Sequence, residues 1–197
     1  MSKQARYFYN RGNSYRTLGQ HKRAIEEYDK AIGLDSNEAS AYNNRGSSYD
    51  DLGRHRIALE DYSKAISLDS KYAAAYYNRG NSYDAIGQYQ RAIEDYDKAI
   101  ELRPDAGRYF YNRGNSYRAL GKHLRAIKDY DRAIELYPGV ARYFNNRGDS
   151  YRALGHYRRA IADYDKAIEL DPNGSEAYTN RQTAVRAIEP SGCIRIR

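Results

Sequence analysis

Asn10-Arg11-Gly12 returns as Asn44-Arg45-Gly46, Asn78-Arg79-Gly80, Asn112-Arg113-Gly114 and Asn146-Arg147-Gly148, each copy 34 residues after the last, and fades at Asn180-Arg181-Gln182. A fixed step of this size marks a repeat architecture in which each unit buries its apolar face against its neighbours. With the glycine at position eight, the units are 5–38, 39–72, 73–106, 107–140 and 141–174. Residues 1–4 precede them, a half-repeat at 175–188 follows, and 189–197 form a tail without a repeat counterpart.

The fourth unit shows what each copy encodes. Tyr109, Phe110, Gly114, Tyr117 and Leu120 recur at helical spacing. Gly121 then predicts a left-handed helix end, as do Gly19, Gly53, Gly87 and Gly155. A second helix carries Ala126, Ile127, Tyr130, Ala133 and Ile134 on one face and stops at Pro138, as others do at Pro104 and Pro172. Each unit is therefore expected to be two antiparallel helices joined by a tight turn. Gly inside a helix costs about 1 kcal/mol relative to Ala, so its recurrence at position eight implies a packing need. We expect the two helices to approach closely at that Gly and at the Ala of position twenty, with aromatics filling the wider gaps.

These columns carry a resemblance. Position four is Phe8, Tyr42, Tyr76, Phe110 and Phe144, and position eleven is Tyr15, Tyr49, Tyr83, Tyr117 and Tyr151. Position twenty is Ala24, Ala58, Ala92, Ala126 and Ala160, and twenty-four is Tyr28, Tyr62, Tyr96, Tyr130 and Tyr164. Position twenty-seven is Ala31, Ala65, Ala99, Ala133 and Ala167, while thirty-two is Ser36 and Ser70, then Pro. Over residues 5–188 the chain resembles the tetratricopeptide repeat family; the pentatricopeptide family has a similar period but lacks this Gly/Ala/Ala/Pro set. The resemblance implies an all-α, right-handed superhelical solenoid of antiparallel helix pairs, with first helices lining a concave groove and 175–188 as the closing helix.

The resemblance also implies that position six, Asn10, Asn44, Asn78, Asn112, Asn146 and Asn180, faces that groove. An amide offers both donor and acceptor and can grip a peptide backbone. The competing reading is that these asparagines bond neighbouring helices or water. The other groove positions vary. Repeat one offers Arg6, Tyr9, Asn13 and Arg16; repeats two and three offer Asn43, Asp50, Asp51, Tyr77, Asn81 and Asp84. Repeat four offers Arg108, Tyr111, Asn115 and Arg118; repeat five offers Arg142, Asn145, Asp149 and Arg152. The groove is thus expected to run basic, acidic, basic. Repeats that clamp acidic chaperone C-termini are matched in part by Tyr77, Asn81, Asn112, Arg142 and Asn146, with Tyr77 standing where that pattern has Lys and Asn146 where it has Arg. Position seven (Arg11, Arg45, Arg79, Arg113, Arg147) and the acid at twenty-three (Glu27, Asp61, Asp95, Asp129, Asp163) are expected to pair away from the groove.

Composition narrows the function. Residues 107–197 hold 17 basic and 10 acidic residues, whereas 1–106 hold 16 of each, so the net charge of +7 lies in the C-terminal part. That favours an acidic partner there, while acids at every step argue against a stripe for nucleic-acid phosphate. His21, His55 and His123 share a column with Tyr89 and Tyr157, which points to packing. No nucleophile motif, phosphate loop or metal-ligand spacing is present, so neither enzyme, cofactor nor metal is expected. The only cysteine is Cys193, no apolar run spans a membrane, and nothing resembles a leader. The chain is read as soluble and cytoplasmic, or as a piece of a longer protein. The leading expectation is a peptide-binding interaction module; self-association into a scaffold, with exposed apolar surface near Tyr7 and Tyr9, is the alternative, and nucleic-acid binding by the basic C-terminal half ranks behind both.

Overall fold

The structure, a computed structural model, describes residues 1–188; the tail with Cys193 lies outside them. Among the described residues there are eleven helices and no strand: α1 (Lys3–Thr17), α2 (His21–Leu34), α3 (Ala39–Asp51), α4 (His55–Leu68), α5 (Ala73–Ala85), α6 (Tyr89–Leu102), α7 (Gly107–Ala119), α8 (His123–Leu136), α9 (Ala141–Ala153), α10 (Tyr157–Leu170) and α11 (Ser175–Ile188). The chain divides into two compact units, Met1–Pro104 and Asp105–Arg197. The first is the stack α1 to α6 and the described part of the second is α7 to α11, each helix packing on the next within its unit. No described helix is long and apolar enough to cross a membrane.

The turn inside each pair is a repeated backbone device. Gly19, Gly53, Gly87, Gly121 and Gly155 all have φ between +70 and +75°. In the first, Gly19 N donates to Arg16 O at 3.0 Å and Gln20 N to Tyr15 O at 2.9 Å. These two bonds satisfy the last carbonyls of α1, and only the left-handed residue permits them. The second helices stop at the same place whether or not proline follows. Asp35 accepts from Asn37 N at 3.2 Å and Asp69 from Lys71 N at 2.9 Å around Ser36 and Ser70, and Asp171 from Asn173 N at 3.2 Å around Pro172, a side-chain turn that competes with further helix in either case.

The core is built from alanine and tyrosine. Ala24, Ala58, Ala92, Ala126 and Ala160 are fully buried, and so, to within 1%, are Tyr28, Tyr62, Tyr96, Tyr130 and Tyr164. The structure corrects one expectation. Position-eight glycine does not simply let two helix backbones touch; it receives an aromatic ring. A Cβ on Gly12 would stand 2.6 Å from Tyr28 Cε1, and one on Gly80 2.7 Å from Tyr96 Cε1. The tyrosine of position twenty-four, expected in a wide gap, lies flush on the first helix because nothing projects there.

Candidate functional site

The expected Arg–acid pairing is present within repeats. Arg45 Nε and Nη2 donate to Asp61 at 2.9 and 2.6 Å, Arg79 to Asp95 at 2.8 and 2.7 Å, and Arg147 to Asp163 at 2.9 and 2.7 Å. Arg45 and Arg147 also reach back to the preceding repeat, donating Nη1 to Asp29 and Asp131 at 2.6 Å. Each guanidinium lies near the position-four ring, at 5.5 Å for Arg45 over Tyr42 and 5.5 Å for Arg147 over Phe144. Hydrogen bonding to Asp95 raises the Arg79 guanidinium, favouring the charged pair, whereas burial raises the Asp95 carboxyl, opposing it. Two short N–H···O contacts make the ionised, bidentate pair the form the geometry supports. These arginines are structural and fix how successive pairs stack.

Their fixed register determines which groups meet between successive first helices. In the N-terminal unit, Asn44 Nδ2 donates to Tyr9 Oη at 3.0 Å and to Asn13 Oδ1 at 2.9 Å, and its Oδ1 accepts from Asn43 Nδ2 at 3.0 Å. Asn78 Nδ2 in turn donates to Asn43 Oδ1 at 3.0 Å. At Asn44 and Asn78 the position-six side chain therefore ties one repeat to the next, as the competing reading has it. Asn44 has both amide hydrogens committed. Asn10 is exposed and its amide bonds nothing among the described residues. The acids of this unit are also engaged: Asp50 accepts from Tyr62 Oη at 2.9 Å and Ser82 Oγ at 2.6 Å, and lies 3.0 Å from His55 Nδ1. Tyr77 packs on Tyr96 with centroids 6.0 Å apart, and Asn81 accepts from Tyr96 Oη at 2.8 Å.

The C-terminal unit repeats the frame with different charges. Asn146 Nδ2 donates to Tyr111 Oη at 3.0 Å and to Asn115 Oδ1 at 2.9 Å, and Asn180 Nδ2 to Asn145 Oδ1 at 3.2 Å. The Tyr111 and Tyr143 rings lie 4.8 Å apart, and the Arg142 guanidinium stands 5.2 Å from the first centroid and 5.8 Å from the second. Arg142 is exposed and has no ion-pair partner among the described residues. Arg118 and Arg152 flank Asp149, with Nη1 to Oδ2 at 3.5 Å and Nη2 to Oδ1 at 3.4 Å. Arg108 is exposed over the Tyr109 ring at 5.4 Å, and Asn112 is half-buried on α7. The arrangement presents cations, aromatic faces and amides side by side.

Sequence reasoning missed the hydroxyls of position twenty-four, which reach through to this face. Tyr28 donates to Asn13 at 2.8 Å, Tyr130 to Asn115 at 2.7 Å and Tyr164 to Asp149 at 2.9 Å. The signal was available, since each repeat carries Asn or Asp at position nine or, as with Asp50, at twelve. Two of the three histidines of that column also lie beside acids, His21 Nδ1 at 3.3 Å from Asp51 and His55 Nδ1 at 3.0 Å from Asp50, whereas His123 Nδ1 is buried without a hydrogen-bond partner among the described residues. Among the described residues no three His, Cys, Asp or Glu side chains gather as a metal site.

Comparison with known proteins agrees with the fold. Tetratricopeptide repeat models match residues 39–72, 73–106 and 105–173, and a TPR repeat model matches 12–53. A crystal structure of MamA is 30% identical over 84% of this chain and 96% of its own, with a TM-score of 0.77. YrrB, described as a TPR protein with an unusual peptide-binding site, is 25% identical over 89% of this chain and 90% of its own, with a TM-score of 0.77. The first TPR of Spaghetti (RPAP3), solved bound to the HSP90 peptide SRMEEVD, is 28% identical over 61% of this chain and 96% of its own, with a TM-score of 0.60. No curated protein matches the sequence. The chain belongs to the tetratricopeptide repeat family.

Proposed function

We propose that the protein is a non-enzymatic interaction module that binds an extended peptide bearing acidic groups along the first helices of its C-terminal unit. The observation that carries this reading is Arg142, an exposed cation near the rings of Tyr111 and Tyr143, the first of which accepts from the Asn146 amide. A guanidinium held by aromatic faces keeps its N–H fork for a carboxylate. Arg108, Tyr111, Arg118 and Arg152 complete the acid-reading set, with Asn112 as a further backbone contact; Asn10 and Asn78 lie in the other unit and outside this set. Asn44 and Asn146 serve mainly by holding the surface in shape, as do Tyr77 and Asn81. Support also comes from the peptide complexed with Spaghetti, which carries Glu, Glu and Asp, and from the peptide-binding site named for YrrB. A reducing, cytoplasmic setting belongs to the same reading and rests on the single cysteine.

Fluorescence anisotropy with labelled hexaglutamate and hexaglutamine tests it. Wild type is expected to prefer the acidic peptide, and Arg142→Gln to weaken that binding about tenfold, as loss of one charge-assisted contact does. Equal affinity of Arg142→Gln and wild type for hexaglutamate defeats the reading. Tyr7, 57% exposed near the N-terminus, favours self-association as the second reading; sedimentation showing concentration-dependent oligomers without peptide binding would select it.

A further inference from the structure

Asp149 is a carboxylate whose charge the fold does not require. Position nine is Asn in repeats one, three and four, where its Oδ1 accepts the position-twenty-four hydroxyl at 2.8, 2.8 and 2.7 Å. Asp149 takes the same bond from Tyr164 at 2.9 Å. An amide oxygen therefore fills this structural slot as well as a carboxylate does, and the extra negative charge needs another explanation.

The neighbours supply one. Arg118 and Arg152 approach Asp149 only to 3.5 and 3.4 Å, and their side chains are 39% and 38% exposed. The structural arginines Arg79 and Arg147 hold their own acids at 2.7 Å and are 20% and 19% exposed. Asp149 thus sits between two cations at distances that satisfy neither fork; Arg152 is additionally steadied through its Nε, which donates to Tyr164 Oη at 3.3 Å. Residues 108–118 repeat residues 6–16 letter for letter, so Arg118 has a counterpart in Arg16, but the next repeat carries Asp50 in one unit and Arg152 in the other. The pair of cations with an acid between them belongs to the C-terminal unit.

The geometry points to Arg118 and Arg152 as a site for an acidic side chain of the ligand and to Asp149 as a resident counter-ion that attenuates it, so that Asp149 sets how strongly the protein selects acidic peptides. This rests on the peptide-binding reading above. A ligand carboxylate entering beside Asp149 meets a net charge of one from the trio; without the aspartate charge it meets two. The difference tunes affinity without altering shape, and it makes isolated single anions poor ligands compared with peptides that also engage Arg142.

Asp149→Asn is the test, because the chain itself uses Asn at this position. Full-length wild type, Asp149→Asn and Arg118→Gln/Arg152→Gln are titrated against labelled hexaglutamate and hexaglutamine, with a urea melt of each. Asp149→Asn is expected to bind hexaglutamate about five- to tenfold more tightly at low salt, from one charge removed near a partly solvated site. The gain should vanish near 1 M salt, hexaglutamine affinity should not change, and the double arginine variant should lose the preference. Wild-type preference for hexaglutamate that Asp149→Asn leaves unchanged or weakens overturns this inference alone, as does a fall in its urea midpoint without tighter binding, which would make Asp149 a structural brace. Absence of any preference in wild type and Asp149→Asn alike overturns the peptide reading and this inference with it.

Discussion

Gly80 and Gly33 are both helical glycines, yet their surroundings assign them opposite effects. A Cβ at Gly80 would press on the buried Tyr96 ring at 2.7 Å, whereas one at Gly33 would meet nothing within 4 Å. Gly80→Ala is expected to destabilise by about 1–3 kcal/mol, since overpacking against a fixed ring outweighs the gain in helix propensity. Gly33→Ala is expected to stabilise by up to about 1 kcal/mol for the propensity reason alone. Urea melts of the two variants check the pair, and a stable Gly80→Ala would refute the ring-docking account. The recurrence of Gly at position eight was legible in the sequence. Its partner was not, because spacing along one helix cannot say whether a ring or a backbone fills the gap.

At the level of elements, α11 differs from the first helices of the full repeats. It carries Gln182 where they carry glycine, and no second helix of its own follows among the described residues. Ala177 closes a cluster with Phe144 and Ala167, and Ala184 closes another with Ala160 and Tyr164. Its Arg181 donates to Asp165 of the preceding repeat, as Arg147 does to Asp131. The helix packs on α10 and α9, and Arg181 repeats the ionic contact to the preceding repeat that Arg45 and Arg147 make. A chain ending at Asp171 is expected to lose on the order of 3 kcal/mol from apolar surface newly exposed on α9 and α10. Hydrogen exchange would show it as lost protection in those two helices; unchanged protection would mean that α11 is dispensable.

The whole molecule has a tyrosine core, and that gives it a characteristic response to alkali. Burial pushes Tyr28 up to about 12, and it pushes Tyr62, Tyr130 and Tyr164 higher still. A phenol whose folded value lies above its unfolded value of about 10 adds stability that is complete below that value and is lost as pH rises through the folded one. Phenolate absorbance from the buried column should therefore rise only together with cooperative loss of helix, near pH 12. A single smooth titration centred on pH 10 with helicity intact would contradict a closed tyrosine core.

The sequence by itself determined the period, the two helices per unit, the glycine turns and the pairing of Arg with the acid sixteen residues on. All of these follow from contacts inside one repeat, where chain connectivity leaves few alternatives. Tertiary structure decided which polar groups remain for a ligand. Asn44 meets Tyr9 and Asn13, 35 and 31 residues away, and Asn146 meets Tyr111 and Asn115 at the same separations. Those partners become neighbours only when one pair stacks on the next, and stacking saturates a side chain that looks open in the sequence. The same stacking places Arg142 over the rings of Tyr111 and Tyr143 and Asp149 between Arg118 and Arg152. Position within a repeat says which face a residue occupies. The register between repeats says whether its hydrogen bonds and charge are still available there.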